Sequence, residues 1–152
     1  MSQIEQKIIE LGFSLPETAK PLAAYIPAVQ SGNLVFTSGQ LPMIEGSLAE
    51  TGKVGGTVSP ERAKELATVC ALNALAAVKT VIGDLDKIKR IVKVVGFVSS
   101  VPEFSSQPAV VNGASEFLGA VFGDKGIHAR SAVGVAVLPL DAPVEIELIV
   151  EV

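Results

Sequence analysis

Few side chains in this sequence can do chemistry, and the two that stand out are Arg130 and Glu145, carried by two runs of alternating residues near the end of the chain. Ile127-His128-Ala129-Arg130-Ser131-Ala132-Val133-Gly134-Val135-Ala136-Val137 and Val144-Glu145-Ile146-Glu147-Leu148-Ile149-Val150 alternate with the period of strands. They flank Leu138-Pro139-Leu140-Asp141-Ala142-Pro143, so the pattern predicts a β-hairpin. Arg130 would stand at the entrance of its first strand, where a guanidinium fork suits bidentate capture of a carboxylate. Glu145 would pair near Val137, seven residues from Arg130, or roughly 23 Å at the usual strand rise. Within such a hairpin the two cannot meet, and a shared pocket would have to form between copies of the chain in a closed cyclic assembly. The plainer alternatives are a cross-strand pair of Arg130 with Glu147 or Glu151, and a solvent-facing Glu145.

Other chemistries find little support. There is no Walker-type loop, no Gly-x-Gly-x-x-Gly between a strand and a helix, no His-x-x-x-His pair and no Gly-x-Ser-x-Gly elbow. His128 is the only histidine and Cys70 the only cysteine, and no sequence signal couples either to a serine or to each other. His128 reads as a loop residue leading into the strand, or as a residue at a pocket mouth near Arg130 that tunes binding. Cys70 reads as a small core residue on the apolar side of a helix. One cysteine excludes an intramolecular disulfide and a cysteine-rich zinc site, and fits a reducing, cytoplasmic setting.

The elements that must position these groups follow from local signals. Met1 to Phe13 puts apolar residues at 4, 8 and 11 between charges, which predicts a short amphipathic helix ending near Gly12, with neither a secretory apolar region nor a membrane span. Leu22 to Gln30 and Asn33 to Gln40 flank Ser31-Gly32 as a first hairpin, and Pro27 assigns its first strand to an edge or a bulge. Ser59 as N-cap, Pro60 and Glu61 open a long helix that Gly83 closes. Ile88 to Ser99 reads as a central strand buried on both faces, and Pro108 to Phe122 as a second long helix. Each long helix joins strands able to lie parallel, so the fold class is α+β, a two-layer sandwich of a mixed sheet with two long helices on one face.

With 152 residues the chain fits a single domain spanning 1–152, large enough to bury a core without disulfides or a structural metal. Twelve basic against sixteen acidic residues, without a basic stripe, make nucleic acid a poor partner. A hydrophobic share of 49% with only 18% charged residues, and a mean hydropathy of +0.50, point to apolar surface buried between subunits.

The ordered series Tyr25, Ser38-Gly39-Gln40, Val111-Asn112, Ala129-Arg130-Ser131-Ala132-Val133, Leu138-Pro139 and Val144-Glu145-Ile146-Glu147 resembles the RidA (YjgF) family of reactive imine/enamine deaminases over residues 22–150. The resemblance implies a chorismate-mutase-like fold and a homotrimer with ligand sites between protomers. It also implies hydrolysis of 2-imino or 2-enamino acids to 2-oxo acids and ammonia, with no metal or organic cofactor and no membrane. Arg130 then matches the arginine that binds the substrate carboxylate, Glu145 the glutamate associated with the catalytic water, and Tyr25 a proton donor or orienting group. Ser38, Gly39, Asn112 and Ala132 match pocket positions. The sequence departs from the family pattern in three places. Ala132 stands where many deaminases have cysteine, Gly113 to Gly126 is slightly longer than usual, and residues 1–21 form an N-terminal extension expected to cap the outside of the sheet. Two other functions fit the same resemblance: noncatalytic binding of small carboxylates such as 2-oxo acids, and an endoribonuclease activity.

Overall fold

The computed structural model describes residues 1–18 and 24–152. Leu22 and Ala23 of the expected first strand, and the last residues of the 1–21 extension, lie outside the described residues.

Helix α1, Gln3–Glu10, opens on a capping box in which the Ser2 hydroxyl accepts from the Glu5 amide and the Glu5 carboxylate accepts from the Ser2 amide. The chain leaves it through Gly12 at φ +90°, where a side chain would be strained. The helix does not cap the outside of the sheet as expected. It packs on the helix layer, because its apolar stripe, Ile4 and Ile8, joins the main core there. Glu5 meets Lys79 at 2.6 Å, the amides of Gln3 and Ile4 donate to the Asp86 carboxylate at 2.9 Å, and the Phe13 ring meets Phe117 edge-on.

Strands β1, Ala28–Ser31, and β2, Leu34–Thr37, form the predicted first hairpin, with Gly32 in the turn at φ +62°. A short second hairpin, β3 Met43–Ile44 and β4 Ser47–Leu48, turns at Glu45-Gly46, both with positive φ. Helix α2, Pro60–Ile82, begins with the Ser59 hydroxyl accepting from the Arg62 amide and stops at Gly83, φ +79°. It is long and apolar enough to cross a membrane by length and composition, yet thirteen of its residues are buried in the core.

Strand β5, Arg90–Ser99, is followed by helix α3, Gln107–Phe122, then by β6, Ala129–Val135, and β7, Val144–Glu151. The sheet order is β1-β2-β7-β5-β6, with β5 and β6 parallel and every other neighbouring pair antiparallel. Both long helices therefore connect strands that run in the same direction, and both lie on one face, over Val94, Val98, Val144, Ile146 and Leu148. The two layers make the α+β sandwich expected from the sequence.

The expected hairpin of the last two strands is overturned. They run antiparallel, but β5 lies between them: Arg130 pairs with Val94 and Glu145 with Phe97 on its two sides. Alternation marks a strand without naming its partner, and here the connection passes over the end of β5. There the Ser99 amide donates to the Pro143 carbonyl and the Ser100 amide to the Val135 carbonyl. A 3-10 turn, Pro139–Asp141, with Leu140 and Asp141 at positive φ, makes the crossing.

Candidate functional site

The groups singled out by sequence fall into two clusters on opposite faces of the sheet. Arg130 sits on edge strand β6 and shares a face with its partner Val94, the face covered by the helices. Its Nη1 donates to Asn112 Oδ1 at 2.7 Å and to Ser115 Oγ at 3.2 Å. Both acceptors stand on α3 three residues apart, hence on one side of the helix. The reading of Arg130 as a cross-strand partner of Glu147 or Glu151 is thereby excluded, since its contacts run to the helix. A guanidinium has five N–H donors, and two are engaged here; among the described residues, no hydrogen bond uses Nε or Nη2. That free edge has the fork geometry that matches a carboxylate. Ala132 follows two residues later on the same face, opposite Gly96, whose missing side chain leaves room for Val111.

Glu145 belongs to the second cluster. Phe97, its partner on β5, is three residues from Val94, so Glu145 points away from the helices. Burial first, and the neighbouring Glu147 carboxylate second, push its carboxyl above the usual carboxylate range. Gly39 lies directly against it, and a Cβ there would come within 2.6 Å of Oε2. This approach is fixed by the backbone of Gln40, whose N–H donates to the Ile146 carbonyl at 2.8 Å and whose carbonyl accepts from the Ile146 N–H at 3.0 Å. The Ser38 hydroxyl donates to the Ile26 carbonyl at 2.7 Å, and the Ser38 amide to the Pro27 carbonyl. Ser38 thus ties down the segment that carries Tyr25, a side chain left half-exposed.

Arg130 and Glu145 are two strands apart, about 10 Å sideways, and offset by three residues along β5, about 10 Å more. They are closer than the hairpin spacing implied, but the sheet itself stands between them.

Two features escaped the sequence reading. The Ser115 hydroxyl lies 2.9 Å from His128 Nε2, a serine–histidine pair that no motif announces. His128 Nδ1 in turn lies 2.6 Å from the Gly126 carbonyl. The available hints were the expectation of His128 near Arg130 and the three-residue spacing of Asn112 and Ser115 on one helix. Cys70 is fully buried, its thiol pushed up by burial first and by the Glu145 carboxylate second, and it donates weakly to the Val144 carbonyl. This is the core role expected of it. Among the described residues, no group of three or more His, Cys, Asp or Glu side chains could hold a metal ion.

Comparison with known proteins agrees with this architecture. The family model "YjgF/chorismate_mutase-like, putative endoribonuclease" matches residues 5–152. Protein TCP17 of Trypanosoma cruzi is 40% identical, over 98% of this chain and 94% of its own length. A 2-iminobutanoate/2-iminopropanoate deaminase of the mite Dermatophagoides farinae is 35% identical, over 90% of this chain and 92% of its own. Among solved structures, the protein Atu1372 of Agrobacterium tumefaciens, described as of unknown function, is 51% identical, with a TM-score of 0.93 over 99% of this chain and 92% of that one. A family match spanning almost the whole sequence, on this sheet order and helix layer, leaves one assignment: the chain belongs to the YjgF (RidA) family.

Proposed function

We propose that the protein hydrolyses reactive 2-imino and 2-enamino acids to 2-oxo acids and ammonia, at sites assembled between the subunits of a homotrimer. The observation that carries this reading is the Arg130 guanidinium, held at Nη1 by Asn112 and Ser115 with its Nε–Nη2 edge open to a carboxylate. The deaminase name of the mite relative supports the same substrate class. Glu145 supplies the other half. A carboxyl raised by burial is a stronger base once ionised and holds its proton to higher pH than a free carboxyl does. As carboxylate it takes a proton from the water that adds to C2 of the imine and returns it to nitrogen, giving a carbinolamine; transfer of the carbinolamine hydroxyl proton to nitrogen through the same carboxyl then breaks the C–N bond, releasing ammonia and the 2-oxo acid. Tyr25 is assigned a donor or orienting role at the same mouth, and Ser38, Gly39 and Ala132 shape the walls. The chemistry asks for positioning and modest acid–base help, which a site with few catalytic groups can supply.

The split of the two clusters supports a site shared between copies, as in the proposed homotrimer. Since the sheet separates Arg130 from Glu145 in one chain, a site containing both draws them from two copies. The sheet face away from the helices is rich in apolar side chains, with Val29 50%, Phe36 38% and Val133 44% exposed, which a second copy would cover.

The test is ammonia release when the protein is added to a threonine dehydratase reaction. Wild type should accelerate it, and Arg130→Ala and Arg130→Lys should each cut kcat/KM at least about 30-fold, the equivalent of a lost charged hydrogen bond of ~2 kcal/mol. Lysine keeps the charge but not the fork. Activity retained in Arg130→Ala would sink the carboxylate clamp. A folded wild type without activity would instead favour a noncatalytic role in binding small carboxylates.

A further inference from the structure

Arg130 is the end of a chain of hydrogen bonds whose direction is set at its other end. His128 Nδ1 faces the carbonyl oxygen of Gly126 at 2.6 Å, and a carbonyl only accepts, so Nδ1 carries the proton. In the neutral ring Nε2 is then bare, and the Ser115 hydroxyl 2.9 Å away donates to it. With its proton turned to His128, Ser115 Oγ presents lone pairs to Arg130 Nη1. The second N–H of Nη1 goes to Asn112 Oδ1, so this nitrogen is saturated.

The local fold explains why the chain of bonds exists. The turn Gly123–Gly126 folds back on α3 so tightly that a Cβ on Gly126 would come within 2.5 Å of the Leu118 carbonyl oxygen. That packing presents the Gly126 carbonyl to His128 two residues on. Neither the helix nor the strand alone would bring Ser115, His128 and Arg130 together; the short turn between them does.

We propose that Ser115 and His128 are positioning residues for Arg130: the relay from the Gly126 carbonyl through His128 and Ser115 locks the guanidinium so that its Nε–Nη2 edge faces the substrate carboxylate. The inference rests on the carboxylate-clamp reading of Arg130. A guanidinium already held has little rotamer freedom left to lose on binding, so the relay acts on affinity and leaves the bond-making steps to other groups.

Three measurements test it. Nitrogen-15 NMR of the imidazole in the intact wild-type protein, at a pH where the ring is neutral, should find His128 in the Nδ1-protonated tautomer. An Nε2-protonated ring overturns the relay, whether or not the protein hydrolyses imines. In the threonine dehydratase assay, Ser115→Ala and His128→Leu should raise KM about 3- to 10-fold, the cost of ordering one long side chain, with kcat changed far less. The same two variants should weaken binding of 2-oxobutyrate, followed by calorimetry, by a similar factor. His128→Gln, whose side-chain carbonyl can accept from Ser115, should recover most of the loss. Wild-type affinity in Ser115→Ala, or a loss confined to kcat, overturns the proposal. A wild type inactive on imines would refute the deaminase reading while the tautomer and the 2-oxobutyrate titrations still decide the relay.

Discussion

In the proposed mechanism Glu145 is the residue at which stability and function pull in opposite directions. Burial and Glu147 favour its protonated form, so the folded protein holds that proton to higher pH than the unfolded chain does. Ionisation therefore weighs against the fold as the pH rises past the unfolded carboxyl value, and the cost is complete above the folded one. Glu145→Gln should melt slightly higher than wild type at neutral pH, by less than the roughly 2–4 °C that 1 kcal/mol shifts a domain of this size, because the group is partly solvated. The gain should vanish at acidic pH, and imine turnover should be lost throughout; thermal melts across pH with parallel assays check both. Residue types and spacing made Arg130, Glu145 and Asn112 legible, since a fork, a carboxylate and an amide in a family order can be read directly. His128 was legible as a neighbour of Arg130, but its pairing with Ser115 was not, because that pairing exists only once α3 has docked beside β6.

Helix α2 was legible because its ends carry their own signals, Ser59 and Gly83, and α3 because Val110, Ala114, Phe117, Leu118 and Val121 recur at helical spacing. The partner of each strand was not. β6 and β7 both alternate cleanly, yet the strand between them comes from some thirty residues earlier in the chain, a relation that no local pattern encodes. The pairing is instead fixed by how closely the helices sit on the sheet and on one another. Gly113 on α3 is the tightest of these contacts, where a Cβ would fall 1.9 Å from the Lys64 carbonyl oxygen on α2. Backbone lies on both sides, so neither can yield cheaply. Gly113→Ala should cost at least about 3 kcal/mol, the upper range for overpacking, and lower Tm by roughly 6–12 °C. A melt within a degree or two of wild type would show that the two helices have room to part.

For the whole molecule, the apolar share of the sequence was readable but its location was not. The structure buries most of it between the helices and the sheet and puts part of it on the sheet face that the helices leave bare, with Val95 and Phe97 on β5 at the centre and Val29, Phe36 and Val133 around them. A carboxylate placed there should be tolerated by a monomer and rejected by an oligomer, because burying an unpaired charge is costly. Val95→Asp should therefore leave the helix content near wild type while sedimentation shifts from the proposed trimer to monomer, and unchanged sedimentation would remove that face from the interface. The most direct measurement joins the two halves of the site. Arg130→Ala and Glu145→Gln chains, each inactive alone, are co-expressed and assayed for ammonia release in the threonine dehydratase reaction. If every site takes its arginine from one subunit and its glutamate from the next, random mixing leaves about a quarter of the sites intact, and activity should return to about that fraction of wild type. No recovery in mixed oligomers of confirmed composition would contradict a site shared between subunits.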